Sequence, residues 1–218
     1  MNSLYWNTVD ESLKKVLKQL MQTPEFNQFI LVGGTALSLQ LGHRVSVDID
    51  LFTDADYQSI DFNNIDNYLK NHFNYYDATQ LTQIGMGKSY FIGNSKQNAV
   101  KLDLYYTDKF IQKSLVIDNV RIAHIKDIIA MKLDVVQRGG RKKDFWDIHE
   151  LINQYSLQEM LNLHKIRYPY THDRELIVSN LLNCNLARND FDTICLKNKI
   201  WDFIVLDIID FVEAYQNE

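Results

Sequence analysis

Two aspartates, Asp48 and Asp50, interrupt an apolar alternation in this chain. Read as a strand, the stretch puts Val47, Ile49 and Leu51 on one face and both carboxylates on the other. Carboxylates side by side on one face repel each other, so a strand built only to fill a core would avoid them. A bound cation removes the repulsion, and hard cations such as Mg²⁺ take oxygen ligands of this kind. Upstream, Phe29 to Val32 reads as a short apolar strand running into Gly33-Gly34-Thr35. Glycine lets a backbone approach a ligand closely, and the helix expected over Thr35 to Leu41, with Gly42 as its C-cap, offers unpaired N–H groups to an anion. A phosphate cradle followed by Asp-x-Asp is what a nucleoside triphosphate with its Mg²⁺ needs.

The order Gly33-Gly34, thirteen residues, Asp48-Ile49-Asp50 resembles the signature of the polymerase-β-like nucleotidyltransferase superfamily. The fuller string Gly33-Gly34-Thr35-Ala36-Leu37, Gly42-His43-Arg44 and Ser46-Val47-Asp48-Ile49-Asp50-Leu51-Phe52 is similar to the AbiEii/AbiGii toxin family of nucleotidyltransferases. A lone Gly-Gly or Asp-x-Asp carries little weight; the combined spacing, with a strand on each side, carries a good deal. The similarity covers about residues 29 to 153.

Further along, Val100, Leu102 and Leu104 alternate with Lys101, Asp103 and Tyr105, so Asp103 points away from the core face. By pattern alone it is a catalytic carboxylate or a solvated one on an edge strand. The resemblance implies the former, because the superfamily brings a third carboxylate on a neighbouring strand. Lys132 sits inside the apolar stripe of Ile125, Ile128, Ile129, Val135 and Val136 on a helix expected over His124 to Arg138. It either snorkels its stem or aims at a phosphate; the matching Met131-Lys132-Leu133 segment implies the phosphate. Asp144 and Asp147, i and i+3 on the next helix, resemble the family's Lys-Asp-x-x-Asp element, although an aspartate near a helix start is favourable in itself. Between these helices Arg138, Arg141, Lys142 and Lys143 form a basic turn suited to an acceptor's phosphates. His43 is read as holding its turn, with Arg44 and Ser46 toward the nucleotide.

The class expected is α+β. An amino-terminal lobe (1–120) carries a mixed twisted sheet with flanking helices, and a helical lobe (121–218) completes a cleft. Before the glycines, an amphipathic helix is expected over residues 3 to 22, broken at Pro24. A helix is expected over Asn63 to Asn71, then strands at Tyr75–Tyr76, Thr79–Ile84, Ser89–Ile92, Val100–Tyr106 and Leu115–Ile117. The period becomes helical from Ala123 onward, and residues 156 to 218 give three or four helical patterns. The string Gly85-Met86-Gly87-Lys88-Ser89 mimics the end of a Walker A loop, but Thr82 stands where that loop needs glycine, and the string reads as a hairpin connection.

The chain has 218 residues and a net charge of −5, which argues against broad nonspecific nucleic-acid binding while leaving room for a local basic patch. Cys184 and Cys195 are too few for a disulfide framework, the histidines lack ligand spacing, and no apolar run is long enough to span a membrane. A cytoplasmic location follows as an expectation.

The resemblance implies Mg²⁺ (or Mn²⁺) on Asp48, Asp50 and Asp103, with Lys132 and Asp144 as further catalytic groups. The nucleotide would be held by Gly33, Gly34, Thr35, Arg44, Ser46 and Lys132. It implies a type IV-like toxin that moves an NMP from an NTP to tRNA or another RNA, countered by a separately encoded antitoxin. Two alternatives are a small-molecule nucleotidyltransferase of the antibiotic-modifying kind and a catalytically silent nucleotide- or partner-binding module. Three intact carboxylates weigh against silence.

Overall fold

The computed structural model describes residues 3–78 and 85–217. The chain divides into two compact units. One comprises Met1–Leu41, Ser46–Lys109 and Lys113–Ala123; the other comprises Gly42–Val45, Phe110–Gln112 and His124–Glu218.

The first unit is built on a seven-stranded mixed sheet. Its strands are β1 (Ile30–Leu31), β2 (Asp48–Thr53), β3 (Tyr75–Ala78), β4 (Gly87–Gly93), β5 (Val100–Tyr106), β6 (Leu115–Ile117) and β7 (Val120–Ile122), in the order β3-β4-β5-β2-β1-β7-β6. β2 runs parallel to β5, and β1 parallel to β7; the other neighbours are antiparallel. The alternation read from sequence is reproduced in β2 and β5, where Ile49, Leu51, Leu102 and Leu104 are fully buried. Val47 departs from it: it precedes the strand and is 64% exposed, so the apolar face begins at Ile49.

Among its described residues this unit carries the α-helices α1 (Glu11–Met21), α2 (Gly33–Leu41) and α3 (Phe62–His72). α1 is shorter than the residue 3–22 helix expected. The Asp10 carboxylate accepts the Leu13 N–H at 2.7 Å and caps the helix, while Trp6–Thr8 forms a separate 3-10 turn. α2 starts two residues early, at Gly33, and Gly42 follows it with φ +66°. The expected hairpin connection at residues 85–89 is corrected, since Gly87–Ser89 begin β4. Glycine is required there because a Cβ at Gly87 would meet the Tyr105 ring at 2.6 Å. The strand expected at Thr79–Ile84 lies outside the described residues. β7 was not anticipated; it pairs with β6 across Asp118 and Asn119, whose φ values of 51° and 64° suit a two-residue hairpin turn.

The second unit contains α4 (Ile125–Gln137), α5 (Lys142–Leu151), α6 (Leu157–Arg167), α7 (Arg174–Leu182) and α8 (Trp201–Gln216). α4 packs against α5, α6 and α7, and α8 packs against α5, α6 and α7. The Trp201, Ile204, Val205, Ile208 and Val212 stripe of α8 is buried, as a packing face should be. Among the described residues no helix is long and apolar enough to cross a membrane.

In the sheet unit, Arg121 on β7 donates to the carbonyls of Phe29 (3.1 Å), Met21 (2.9 Å) and Phe26 (2.9 Å), which fixes the segment leading from α1 into β1. Arg121→Met should leave three carbonyls short of a charged donor and cost roughly 2–3 kcal/mol. Urea denaturation measures the loss, and hydrogen exchange should accelerate first between residues 22 and 29.

Candidate active site

The parallel register of β2 and β5 decides which side chains meet. Asp48 lies opposite Lys101, and Asp50 lies opposite Asp103; on the other side of β5, Ser89 of β4 faces Asp103. Because side chains alternate, Asp48, Asp50, Lys101 and Asp103 all project from one sheet face, opposite the buried leucine and isoleucine face. Asp103 Oδ2 accepts an ion-paired hydrogen bond from Lys101 Nζ. Its Oδ1 is buried and finds no partner among the described residues.

The glycine turn closes on the same carboxylates. Gly33 has φ +70°, and a Cβ placed there would lie 2.5 Å from Asp50 Oδ2. Only glycine allows both the conformation and the approach, and the start of α2 therefore rests against the Asp50 carboxylate. Thr35 and Ser46 are buried, and their hydroxyls lie 2.8 Å apart. Thr35 also donates to the Asp48 carbonyl, so Ser46 supplies the proton between the two hydroxyls. Both expected nucleotide contacts thus fasten α2 to the beginning of the aspartate strand.

The donor set suits a hard cation: oxygen ligands on adjacent strands, one of them a buried oxygen without a partner, beside a cradle that a Cβ would fill. Among the described residues no group of three or more acidic, histidine or cysteine side chains is placed to hold a metal ion. Mg²⁺ does not demand one, since it keeps waters and takes one or two carboxylates together with substrate phosphates.

A second cluster of titratable side chains lies in the helical unit. Asp147 on α5 is fully buried, and Arg44 grips it with two bonds, Nε to Oδ1 at 2.6 Å and Nη2 to Oδ2 at 2.8 Å. His43 Nε2 reaches Oδ1 at 2.8 Å; facing a carboxylate, that nitrogen carries the proton. Lys132 Nζ lies 2.6 Å from Asp147 Oδ2 and 2.8 Å from Asp144 Oδ1. Burial would push the Asp147 carboxyl up, but the Arg44 and Lys132 charges, with hydrogen bonds from Arg44 and His43, hold it well below the usual range. Burial opposes ionisation of Asp144 too, and the Lys132 charge and hydrogen bond outweigh it. For Lys132, burial disfavours the ammonium, while Asp147 and then Asp144 raise its pKa. Two of the three Lys132 donors are therefore committed to carboxylates.

The basic turn divides in two. Arg138 and Arg141 are exposed; Arg138 reaches Asp134 at 2.7 Å, and Arg141 approaches Asp144 at 3.4 Å. Lys143 is half-buried. Lys142, expected on the same rim, is buried: its ammonium contacts Asp192 at 2.6 Å and the Arg188 carbonyl at 3.0 Å and lies over the Trp201 ring. Its charge is consumed within the helical unit.

Residues 15–208 match the family model described as nucleotidyl transferase AbiEii toxin, type IV toxin–antitoxin system. The chain belongs to the AbiEii nucleotidyltransferase toxin family. It is a nucleotidyltransferase, and the family implies an NTP substrate and an antitoxin partner. An uncharacterized protein of Aquifex aeolicus is 28% identical over 190 residues, covering 81% of this chain and 84% of its own. The fold is shared with a candidate nucleotidyltransferase of Helicobacter pylori, 22% identical with TM-score 0.63 over 94% of this chain and 92% of that one. It is also shared with the nucleotidyltransferase toxin MenT4 of Mycobacterium tuberculosis, 16% identical with TM-score 0.57 over 91% and 80%.

In this AbiEii protein the sequence reading missed Lys101 as a partner of the carboxylates, although its place two residues before Asp103 puts it on their face. It also gave Asp147 less weight than Asp144, whereas Asp147 has more partners. Asp127, fully buried, received no role; it accepts Arg167 at 2.9 Å and the Ile111 and Gln112 amides at 2.7 and 3.0 Å. Nothing in its local pattern marks it, because its partners come from distant parts of the chain.

Asp147→Asn should cost about 3–5 kcal/mol at pH 7 by leaving Arg44 and Lys132 under-compensated. A carboxyl depressed on folding adds stability above the unfolded value of about 3.9, and that stability is lost as pH falls through the folded value. The gap between wild type and variant should therefore narrow from pH 7 toward pH 2 in urea midpoints. A constant gap contradicts the assigned charge state.

Proposed function

We propose that this protein moves an NMP from an NTP to an RNA hydroxyl, tRNA being the expected class, in a Mg²⁺- or Mn²⁺-dependent reaction that releases pyrophosphate. The observation that supports this reading most is the placement of Asp48, Asp50 and Asp103 on one face of two paired parallel strands, with Gly33 against Asp50. The acceptor oxygen bonds to the α-phosphorus, the bridging bond to the β-phosphate breaks, and the acceptor proton is lost to water. Asp48, Asp50 and Asp103 would hold the metal, which when bound stabilises the charge on attacking and leaving oxygens. Gly33, Gly34 and the first amides of α2 would cradle phosphate oxygens, as the start of a helix favours an anion. Thr35 and Ser46 would serve that cradle by tying α2 to Asp48. Asp144 and Asp147 would hold the ammonium of Lys132, Arg44 sharing the Asp147 carboxylate with it, and Lys132 is proposed to offset charge on the nucleotide's phosphates. The antitoxin is the partner that the family implies, and its contact surface is left to experiment.

Incubation with each α-labelled NTP, Mg²⁺ and total cellular RNA should label an RNA species. Asp48→Asn and Asp50→Asn should each abolish labelling while the fold survives. Label in a non-RNA fraction would assign a small-molecule acceptor, and full activity in either variant would sink the carboxylate assignment.

Arg138, Arg141 and Lys143 are proposed as contacts for the RNA backbone. Each phosphate contact should steepen the salt dependence by about 0.7 log units for a single strand. Arg138→Ala with Arg141→Ala should flatten the salt slope of transfer and leave NTP affinity unchanged. Identical slopes would make the turn a solvated surface.

A further inference from the structure

Lys101 and Asp103 stand two residues apart on β5, so both project from the carboxylate face. The Lys101 ammonium pairs with Asp103 Oδ2, and its residue lies directly across from Asp48. Asp50 lies directly across from Asp103 on the same face, next to Asp48. One ammonium therefore sits in the field of three carboxylates, on a side chain that remains 38% exposed.

We propose that Lys101 is a positioning residue that holds Asp103 in the metal-free protein and releases it to a divalent cation chiefly when a triphosphate arrives, so that cation binding becomes conditional on nucleotide. The proposal rests on the reading above that these carboxylates hold the metal. A divalent cation arriving alone must break the Lys101–Asp103 pair and leave an ammonium beside a dication, an unfavourable like-charge contact. A cation arriving with a triphosphate brings a polyanion with which the released ammonium re-pairs. The same lysine that weakens the first event supports the second. Linkage makes the effect reciprocal: nucleotide tightens cation binding by the factor with which cation tightens nucleotide binding.

Binding of Mn²⁺ can be followed by the paramagnetic resonance of the free ion, without turnover. Wild type, Lys101→Met, Lys101→Arg and Asp48→Asn would each be titrated alone and with each of the four α,β-methylene NTP analogues. Lys101→Met should bind Mn²⁺ alone on the order of tenfold more tightly than wild type. With the effective analogue its affinity should stay level or fall, so the enhancement by nucleotide shrinks. Lys101→Arg, which keeps the charge, should hold to the wild-type pattern. An unchanged or weaker affinity for Mn²⁺ alone in Lys101→Met overturns the proposal, as does an arginine variant that behaves like the methionine one. Wild type that binds no Mn²⁺ with any analogue, or binds it undiminished in Asp48→Asn, overturns the metal reading itself.

Discussion

The in-register pairing of β2 with β5 places Asp50 directly across from Asp103, with Asp48 one step away on the same face. Like charges in such positions destabilise a sheet, so the arrangement persists only because other features offset it. On the opposite face, Ile49, Leu51, Leu102 and Leu104 are fully buried. A one-residue slip would turn those apolar side chains outward and the aspartates inward, and the register is therefore fixed by the core. On the polar face, Lys101 neutralises Asp103, and the turn at Gly33 brings the start of α2 against Asp50. Charge repulsion, strand register and helix entry form one coupled problem, which the proposed cation and phosphate would relieve.

The helical unit meets a related problem with protein charges alone. Asp144 and Asp147 are both buried on α5, and Lys132 and Arg44 supply the two cations that they need. Buried ion pairs of this kind add little net stability compared with apolar packing, yet removing one partner strands the others. What the cluster secures is position: it fastens the Gly42–Val45 segment and α4 to α5. Arg44 and Lys132, read from sequence as facing the nucleotide, thus have carboxylate partners that any contact with a phosphate must accommodate.

The fold was largely legible because its elements carry strong local signals. The alternation in residues 48–52 and 100–106 gave two central strands, and the switch to helical period after Ala123 marked the helices. Errors arose where tertiary partners override local pattern. Val47 continues the alternation but lies outside the strand, and the short β7 is defined by its turn and its neighbour β1 rather than by periodicity. The basic turn shows the same limit: four cations in six residues look alike in sequence, yet only the structure shows that Lys142 is folded onto Trp201 and Asp192. Lys101 escaped notice for the opposite reason, because a lysine on a polar strand face ordinarily needs no explanation. The placement of Asp48 and Asp50 on one polar face was legible because residues i and i+2 of a strand project to the same side.

The central claim is that the face bearing Asp48, Asp50 and Asp103 holds the divalent cation and that the start of α2 holds the phosphates. Anomalous scattering from crystals grown with Mn²⁺ and an α,β-methylene NTP analogue tests both at once. The account predicts a manganese peak about 2.1 Å from carboxylate oxygens of Asp48 and Asp50, taking the spacing of the smaller hard cation as a guide, with triphosphate oxygens against Gly33 and Gly34. Manganese and nucleotide bound together elsewhere, with these carboxylates unligated, would contradict it.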